Sequence, residues 1–260
     1  MFDVKGKSVI VTGGANGLGR AFAEVMADNG ADVCIFAIAP VQADAVAAEI
    51  GVWGQCVDVT GRAAMTAAFA AVAAKHGKID VVFANAGIDA GPGFLTPENT
   101  RNPDGAIENL DDLHSDKVIE TNLTSMFNTI KLAARHMKAT GGGKIIATSS
   151  IAARCNEAIV GTPYMPAKAA VSHLVRHMAM ELAAYNIQVN AIAPGPSVTN
   201  IAGRRLKNPV DRKTFETQTL MGRIAEPDGI KGIALYLASP AASYVTGAEM
   251  VIDGGSLLRF

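Results

Sequence analysis

Short β-branched runs alternate along this chain with longer Ala-rich stretches, and that alternation is the strongest constraint on its fold. Seven such runs occur, at 7–12 (KSVIVT), 32–38, 54–59, 79–84, 144–149, 187–192 and 249–253. Between them, helical spacing is read at 19–29 (closed by Gly30), 42–50, 63–75, 114–140, 166–185 and 229–237. Strands that are apolar on both faces and joined by helical crossovers predict a parallel sheet covered on both sides. No linker or internal repeat divides residues 1–260, so one doubly wound α/β domain with about seven strands is expected.

Two segments lapse from the pattern. Residues 88–112 are rich in Gly, Pro, Asn and Asp, which leaves open either a substrate entrance or an inert insertion. Residues 196–221 follow a Pro-Gly-Pro turn with mixed character and are expected to form a mobile substrate flap.

Charge excludes several function classes. With 23 Lys+Arg against 24 Asp+Glu the formal charge is −1, which provides no field to gather nucleic acid or anionic lipid. No apolar run approaches the roughly 18 residues of a membrane span, and the opening residues read as a strand rather than a leader. The three cysteines, Cys34, Cys56 and Cys155, form no CxxC pair, so neither a disulfide framework nor structural zinc is expected, and a reducing, cytoplasmic setting is. Among the histidines only His173 and His177 share a helical spacing. No glutamate stands between them in a zincin pattern, and no metal site is expected.

The first strand ends in TGGANGLG, residues 12–19. Gly13, Gly17 and Gly19 sit where a tight turn must bring backbone amides against a diphosphate at a helix N-terminus, so Gly13, Asn16, Gly17, Leu18 and Gly19 are expected to bind a dinucleotide. No Gly-Lys-Ser/Thr follows, so this is not a P-loop. At the end of the second strand, where a carboxylate would grip the adenosine ribose, stands Ala37. The usual hydroxyl acceptor of NAD is missing there, and so is any cation for the phosphate of NADP. The uncompensated phosphate is the costlier mismatch, which favours NAD. Asp58, beside Val59 at the end of the third strand, is placed to accept from the adenine amino group.

Ser150 ends the fifth strand, and Tyr164 and Lys168 lie one helical turn apart. That spacing puts phenol and ammonium on one helix face, where the cation is expected to lower the phenol pKa and make it a general acid/base. Arg154, Asn156 and Glu157, in the stretch between them, read as solvated loop residues. Met165 and Met221 are candidates to touch an apolar substrate. Cys155 is set aside as a nucleophile because no histidine stands near it in sequence.

These pieces together resemble the short-chain dehydrogenase/reductase family in its roughly 250-residue form. The resemblance rests on TGGANGLG at 12–19, CVDVT at 56–60, NAG at 85–87, ETNLTSMF at 120–127, TSS at 148–150, YMPAK at 164–168, NAIAPGPSVT at 190–199 and TGAEMVIDGG at 246–255, spanning nearly the whole chain in order. It implies a Rossmann-type catalytic domain that moves a hydride between nicotinamide and a secondary alcohol or its ketone. Tyr164 would be the general acid/base, Ser150 the holder of the substrate oxygen in preference to Ser149, Lys168 the binder of the nicotinamide ribose, and Asn122 the organiser of a proton relay. Asn85, Ala86 and Gly87 would line the cofactor, and Pro194, Gly195 and Thr199 would meet its nicotinamide side.

The substrate expected is a small, largely apolar alcohol or ketone, cyclic, aromatic or diol. An NADP-dependent carbonyl or 3-ketoacyl reductase is the alternative, and a non-catalytic nucleotide-binding homologue the remote one. The resemblance also implies a homotetramer, with a homodimer as the smaller assembly, and the tail 256–260 is compatible with such a contact.

Overall fold

The computed structural model describes residues 1–199, 201, 206 and 208–259. Its centre is a seven-stranded parallel sheet in the order β3-β2-β1-β4-β5-β6-β7. The strands are β1 (Ser8–Thr12), β2 (Asp32–Ala37), β3 (Trp53–Cys56), β4 (Val81–Ala84), β5 (Gly143–Thr148), β6 (Ile187–Pro194) and β7 (Glu249–Ile252). Helices α1 (Gly17–Asp28), α2 (Pro40–Ile50), α3 (Arg62–His76), α4 (Asp112–Ile119), α5 (Ser125–Thr140), α6 (Tyr164–Leu182), α7 (Pro209–Glu216) and α8 (Lys231–Ala238) connect them.

Side-chain alternation divides the sheet between two cores. Ile10, Val82, Ile145 and Val189 point to the face where Phe69, Ile130 and Val175 of α3, α5 and α6 pack. Their neighbours Val9, Val11, Phe83 and Ile146 point the other way, against Phe22 and Met26 of α1 and Leu237 of α8. The Phe22 and Phe83 rings stack at 4.9 Å across that second interface. Strand order reverses between β1 and β4, which opens a crevice at the carboxyl ends of the strands.

Four local features add to or depart from the sequence reading. The third strand stops at Cys56 because Asp58 turns the chain, its Oδ1 accepting from the Thr60 amide at 2.9 Å and hydroxyl at 2.8 Å. The long helix expected over 114–140 is α4 and α5 joined by a π-helical turn, Glu120–Thr124. Residues 88–112 are built onto the segment before α6: Leu95 N donates to Ala158 O at 3.0 Å and Gly161 N to Gly91 O at 3.0 Å. At Gly93 a Cβ would lie 2.2 Å from Ala158 O, so that junction admits only glycine. Within 196–221 the chain forms α7, while residues 200, 202–205 and 207 of the expected flap lie outside the described residues.

Candidate active site

Every residue expected from the sequence to be catalytic or to bind the cofactor borders one cavity of about 890 Å³ along the reversal crevice. The elements bring them there from six strand ends, those of β1 to β6. After β1 the chain enters a turn in which Gly13 (φ 66°) and Gly17 (φ 50°) take the left-handed conformation that favours glycine. A Cβ on Gly19 would stand 2.2 Å from Gly13 O, so only glycine lets α1 close onto the turn. Asn16 caps α1 by backbone position alone, with extended backbone and no side-chain bond to the helix amides, and α1 has no acidic residue in its first turn. Those amides and the positive helix end suit a diphosphate, so this cradle fits a dinucleotide.

Thr12 and Asn85 hold the adjoining strand ends. The Thr12 hydroxyl accepts from Asn85 N at 2.9 Å and Ala86 N at 3.1 Å. The Asn85 amide donates to Thr12 O at 3.1 Å and accepts from the Thr148 hydroxyl at 3.0 Å, so the side chain ties β1 to β5 while the backbone faces the cavity. Next in line, Asn122 is fully buried and grips one residue twice: Oδ1 accepts from Ile88 N and Nδ2 donates to Ile88 O, both at 3.0 Å. Its place in the π turn gives a physical reason for that turn, since the extra residue aims the amide at the β4 loop.

Ser149 and Ser150 part company. The buried Ser149 hydroxyl is 2.6 Å from Ser172 Oγ and 3.4 Å from Lys168 O, which commits it to α6. Ser150 starts the 3-10 turn Ile151–Ala153, accepts from Ala152 N at 3.2 Å, and lies close enough to the Tyr164 phenol to favour its charged form. Tyr164 opens α6, and the Lys168 ammonium sits 5.5 Å from its ring centroid.

Burial governs the electrostatics of this pair. Desolvation pushes the Tyr164 phenol up to about 12; Ser150 opposes the rise, and the Asp89 and Glu157 carboxylates add to it. The phenol is thus held neutral here, rather than lowered as its spacing from Lys168 predicted, because burial dominates and the ammonium is 5.5 Å from the ring centroid with its Nζ bonded to Thr148 O. Lys168, 3% exposed, is lowered to about 8 by the same cause, and its Nζ donates to Thr148 O at 2.9 Å.

At the β2 end the cavity wall is Phe36, Ala37, Ile38 and Gln42, with Gln42 Nε2 donating to Asn16 Oδ1 at 2.8 Å. Nearby Arg20 is paired with Glu24 at 2.7 Å and Glu49 at 2.5 Å.

The reading of 154–157 needs correction. Arg154 and Asn156 are exposed, with Arg154 paired to Glu249 at 2.6 Å, but Glu157 is half-buried and borders the cavity. Met165 and Met221 do not border it. Asp89, Val160, Leu206 and Phe215, which no motif marked, do. Asp89 carried one overlooked signal, a carboxylate two residues beyond the NAG turn. Among the described residues no three His, Cys, Asp or Glu side chains gather as a metal site, and no helix is long and apolar enough to cross a membrane.

The family profile described as Enoyl-(Acyl carrier protein) reductase matches residues 13–256. L-rhamnose 1-dehydrogenase (NAD(P)(+)) of Sphingomonas sp. (strain SKA58) is 36% identical over 263 residues, covering 97% of this chain and 96% of its own length. Cis-4-hydroxycyclohexanecarboxylate dehydrogenase of Sinomonas cyclohexanicum is 36% identical over 253 residues, covering 95% and 94%. The crystal structure of a short-chain type dehydrogenase/reductase from Mycobacterium marinum superposes with a TM-score of 0.87 at 32% identity, covering 98% of this chain and 97% of that one.

Proposed function

The chain belongs to the short-chain dehydrogenase/reductase family and is an NAD(P)-dependent oxidoreductase, and from that premise we propose that it interconverts a secondary alcohol and its ketone, prefers NAD, and uses Tyr164 as general acid/base. The observation that carries this reading is that Ser150, Tyr164 and Lys168 border the same cavity as the glycine cradle, with the Lys168 ammonium 5.5 Å from the Tyr164 ring centroid.

When bound, the nicotinamide supplies the hydride acceptor or donor. The chain supplies position and proton transfer. Ser150 Oγ donates to the substrate oxygen and fixes it beside the phenol. The Tyr164 hydroxyl gives its proton to that oxygen in reduction and takes one from it in oxidation. Lys168 holds the ribose hydroxyls with the ammonium protons not used on Thr148 O. Asn122 holds the β4 loop at Ile88 and thereby the backbone at Gly87.

The NAD preference follows from the β2 end. Among the described residues the cavity has no Lys or Arg there, Arg20 is spent on Glu24 and Glu49, and the cavity's cations, Lys117 and Lys168, line its other end. Relatives that act on a sugar and on a hydroxylated cyclohexane ring support a cyclic secondary alcohol. Exposed Phe127 on α5 and Met180 on α6 support self-association as a homotetramer, which light scattering of the purified protein tests.

Tyr164→Phe is the direct experiment. It removes the proton donor and leaves the cradle, so turnover falls by about 10²–10⁴ while NAD+ affinity stays within about twofold. Turnover at the wild-type rate would exclude Tyr164 from the chemistry.

A further inference from the structure

Beyond Ser150 and Tyr164 the cavity has two contrasting kinds of lining. Its apolar lining there includes Ile88, Val160, Ile201, Leu206 and Phe215. Its lining also includes two acidic residues, Asp89 from the loop after β4 and Glu157 from the segment before α6. Neither is ion-paired among the described residues, and the polar neighbour of the Glu157 carboxylate is the Cys155 thiol, 3.8 Å from Oε1. Both border the cavity that Tyr164 borders, and both raise its phenol pKa through space. Burial also raises the Glu157 pKa. The other charged side chains bordering this region, Lys117 and Glu120, are exposed and opposite in sign, and the Lys168 ammonium is on Thr148 O.

A partly desolvated carboxylate whose donor is only a weak thiol, as at Glu157, is unfavourable, and two carboxylates in one cavity repel any anionic group. Two acceptors on separate segments suit two donors spaced along a ring better than one compact ammonium. A hydroxylated ring also has a C–H face to lay on the apolar wall. Building on the redox reading above, we propose that Asp89 and Glu157 are specificity-determining residues that accept hydrogen bonds from hydroxyls neighbouring the reacting carbon, so that the preferred substrate is a neutral cyclic polyol.

The test compares kcat/KM of the NAD+-saturated protein for cyclohexanol, cis-1,2-cyclohexanediol, L-rhamnose, D-glucose, 2-aminocyclohexanol and 3-hydroxycyclohexanecarboxylate. At least one neutral polyol exceeds cyclohexanol by about tenfold or more, and Glu157→Gln and Asp89→Asn each reduce that advantage about tenfold, the effect of one charged hydrogen bond. An advantage unchanged in both variants overturns the proposal, as does preference for the amino alcohol or the carboxylate. Calorimetric titration of the NADH-loaded protein with the same compounds separates this inference from the redox reading. Polyol binding that weakens in both variants without oxidation of any compound sinks the redox reading and upholds the acceptor pair. Oxidation of cyclohexanol with no polyol advantage does the reverse, and no polyol binding or turnover at all overturns the acceptor pair.

Discussion

Lys168→Met should make the protein more stable while disabling it. The ammonium is 3% exposed and has no carboxylate partner, and burial lowers its pKa from 10.5 to about 8. That drop corresponds to about 3 kcal/mol of penalty on the charged form at neutral pH. Methionine fills a similar volume without the charge but leaves Thr148 O without the 2.9 Å donor, a loss of about 1–2 kcal/mol. The net expectation at pH 7 is a gain of about 1–2 kcal/mol, or a Tm higher by about 3–6 °C for a chain this size.

The sign of the pH dependence gives a second readout. Below about pH 8 Lys168 is protonated in both folded and unfolded chains and the penalty is fully present. Between 8 and 10.5 the folded chain has released the proton while the unfolded chain keeps it, so wild-type stability rises with pH relative to the variant. Tyr164, raised from 10 to about 12, acts in the opposite sense only above pH 10 and does so in both proteins. Urea unfolding at matched protomer concentration from pH 7 to 10 measures the gap, which is largest at pH 7, falls through zero above about pH 9 and has reversed by pH 10. A variant less stable than wild type at pH 7, or a gap that ignores pH, refutes the assignment of a desolvated, unpaired ammonium.

Three further outcomes are expected. Gly19→Ala puts a methyl 2.2 Å from Gly13 O and 2.5 Å from Asn85 Nδ2, so NAD+ affinity by calorimetry falls at least about tenfold and the Tm drops with the roughly 1–3 kcal/mol cost of overpacking. Ser150→Ala lowers kcat by about 10²–10³, as loss of a hydrogen bond to a developing oxyanion does, whereas Ser149→Ala keeps kcat within about threefold and costs about 1 kcal/mol of stability through its lost bond to Ser172. Ala37→Arg supplies the missing phosphate partner at the β2 end and tightens NADP+ binding about tenfold to hundredfold at constant salt, leaving NAD+ affinity near its wild-type value.

How far this fold could be read from sequence depended on whether the signal was local. Val9, Ile10 and Val11 declare a strand buried on both faces, and TGGANGLG declares the turn that follows, because burial and positive φ leave residue-level marks. The third strand was overextended because Val57 and Val59 continue the apolar alternation, while the turn is decided by the Asp58 side chain bonding two residues ahead. Helix α7 lay in a stretch read only as mixed, although Asn208-Pro209 and the Arg212–Glu216 pair at 2.8 Å are a readable start and support. Glu157 left no comparable mark. Its cavity face exists because residues 91–95, far away in sequence, pin 158–161 from the other side.

The same contrast explains why stability and chemistry sit on different parts of this molecule. The two cores on the faces of the sheet hold fully buried apolar side chains such as Ile10, Phe22, Phe69 and Phe83, and they need nothing from the crevice to be stable. At the carboxyl edge the buried groups are Asn122, Ser149, Ser150 and Lys168, each held by one or two bonds to backbone or hydroxyl. An ammonium and two carboxylates stand there without counter-charges among the described residues. Such an arrangement persists only because the sheet beneath supplies the margin, and it is worth keeping only if a ligand uses it. Substitutions that relieve the edge should therefore raise stability and lower turnover together, as argued for Lys168, whereas substitutions in either core should lower stability and leave the chemistry of the surviving folded protein intact.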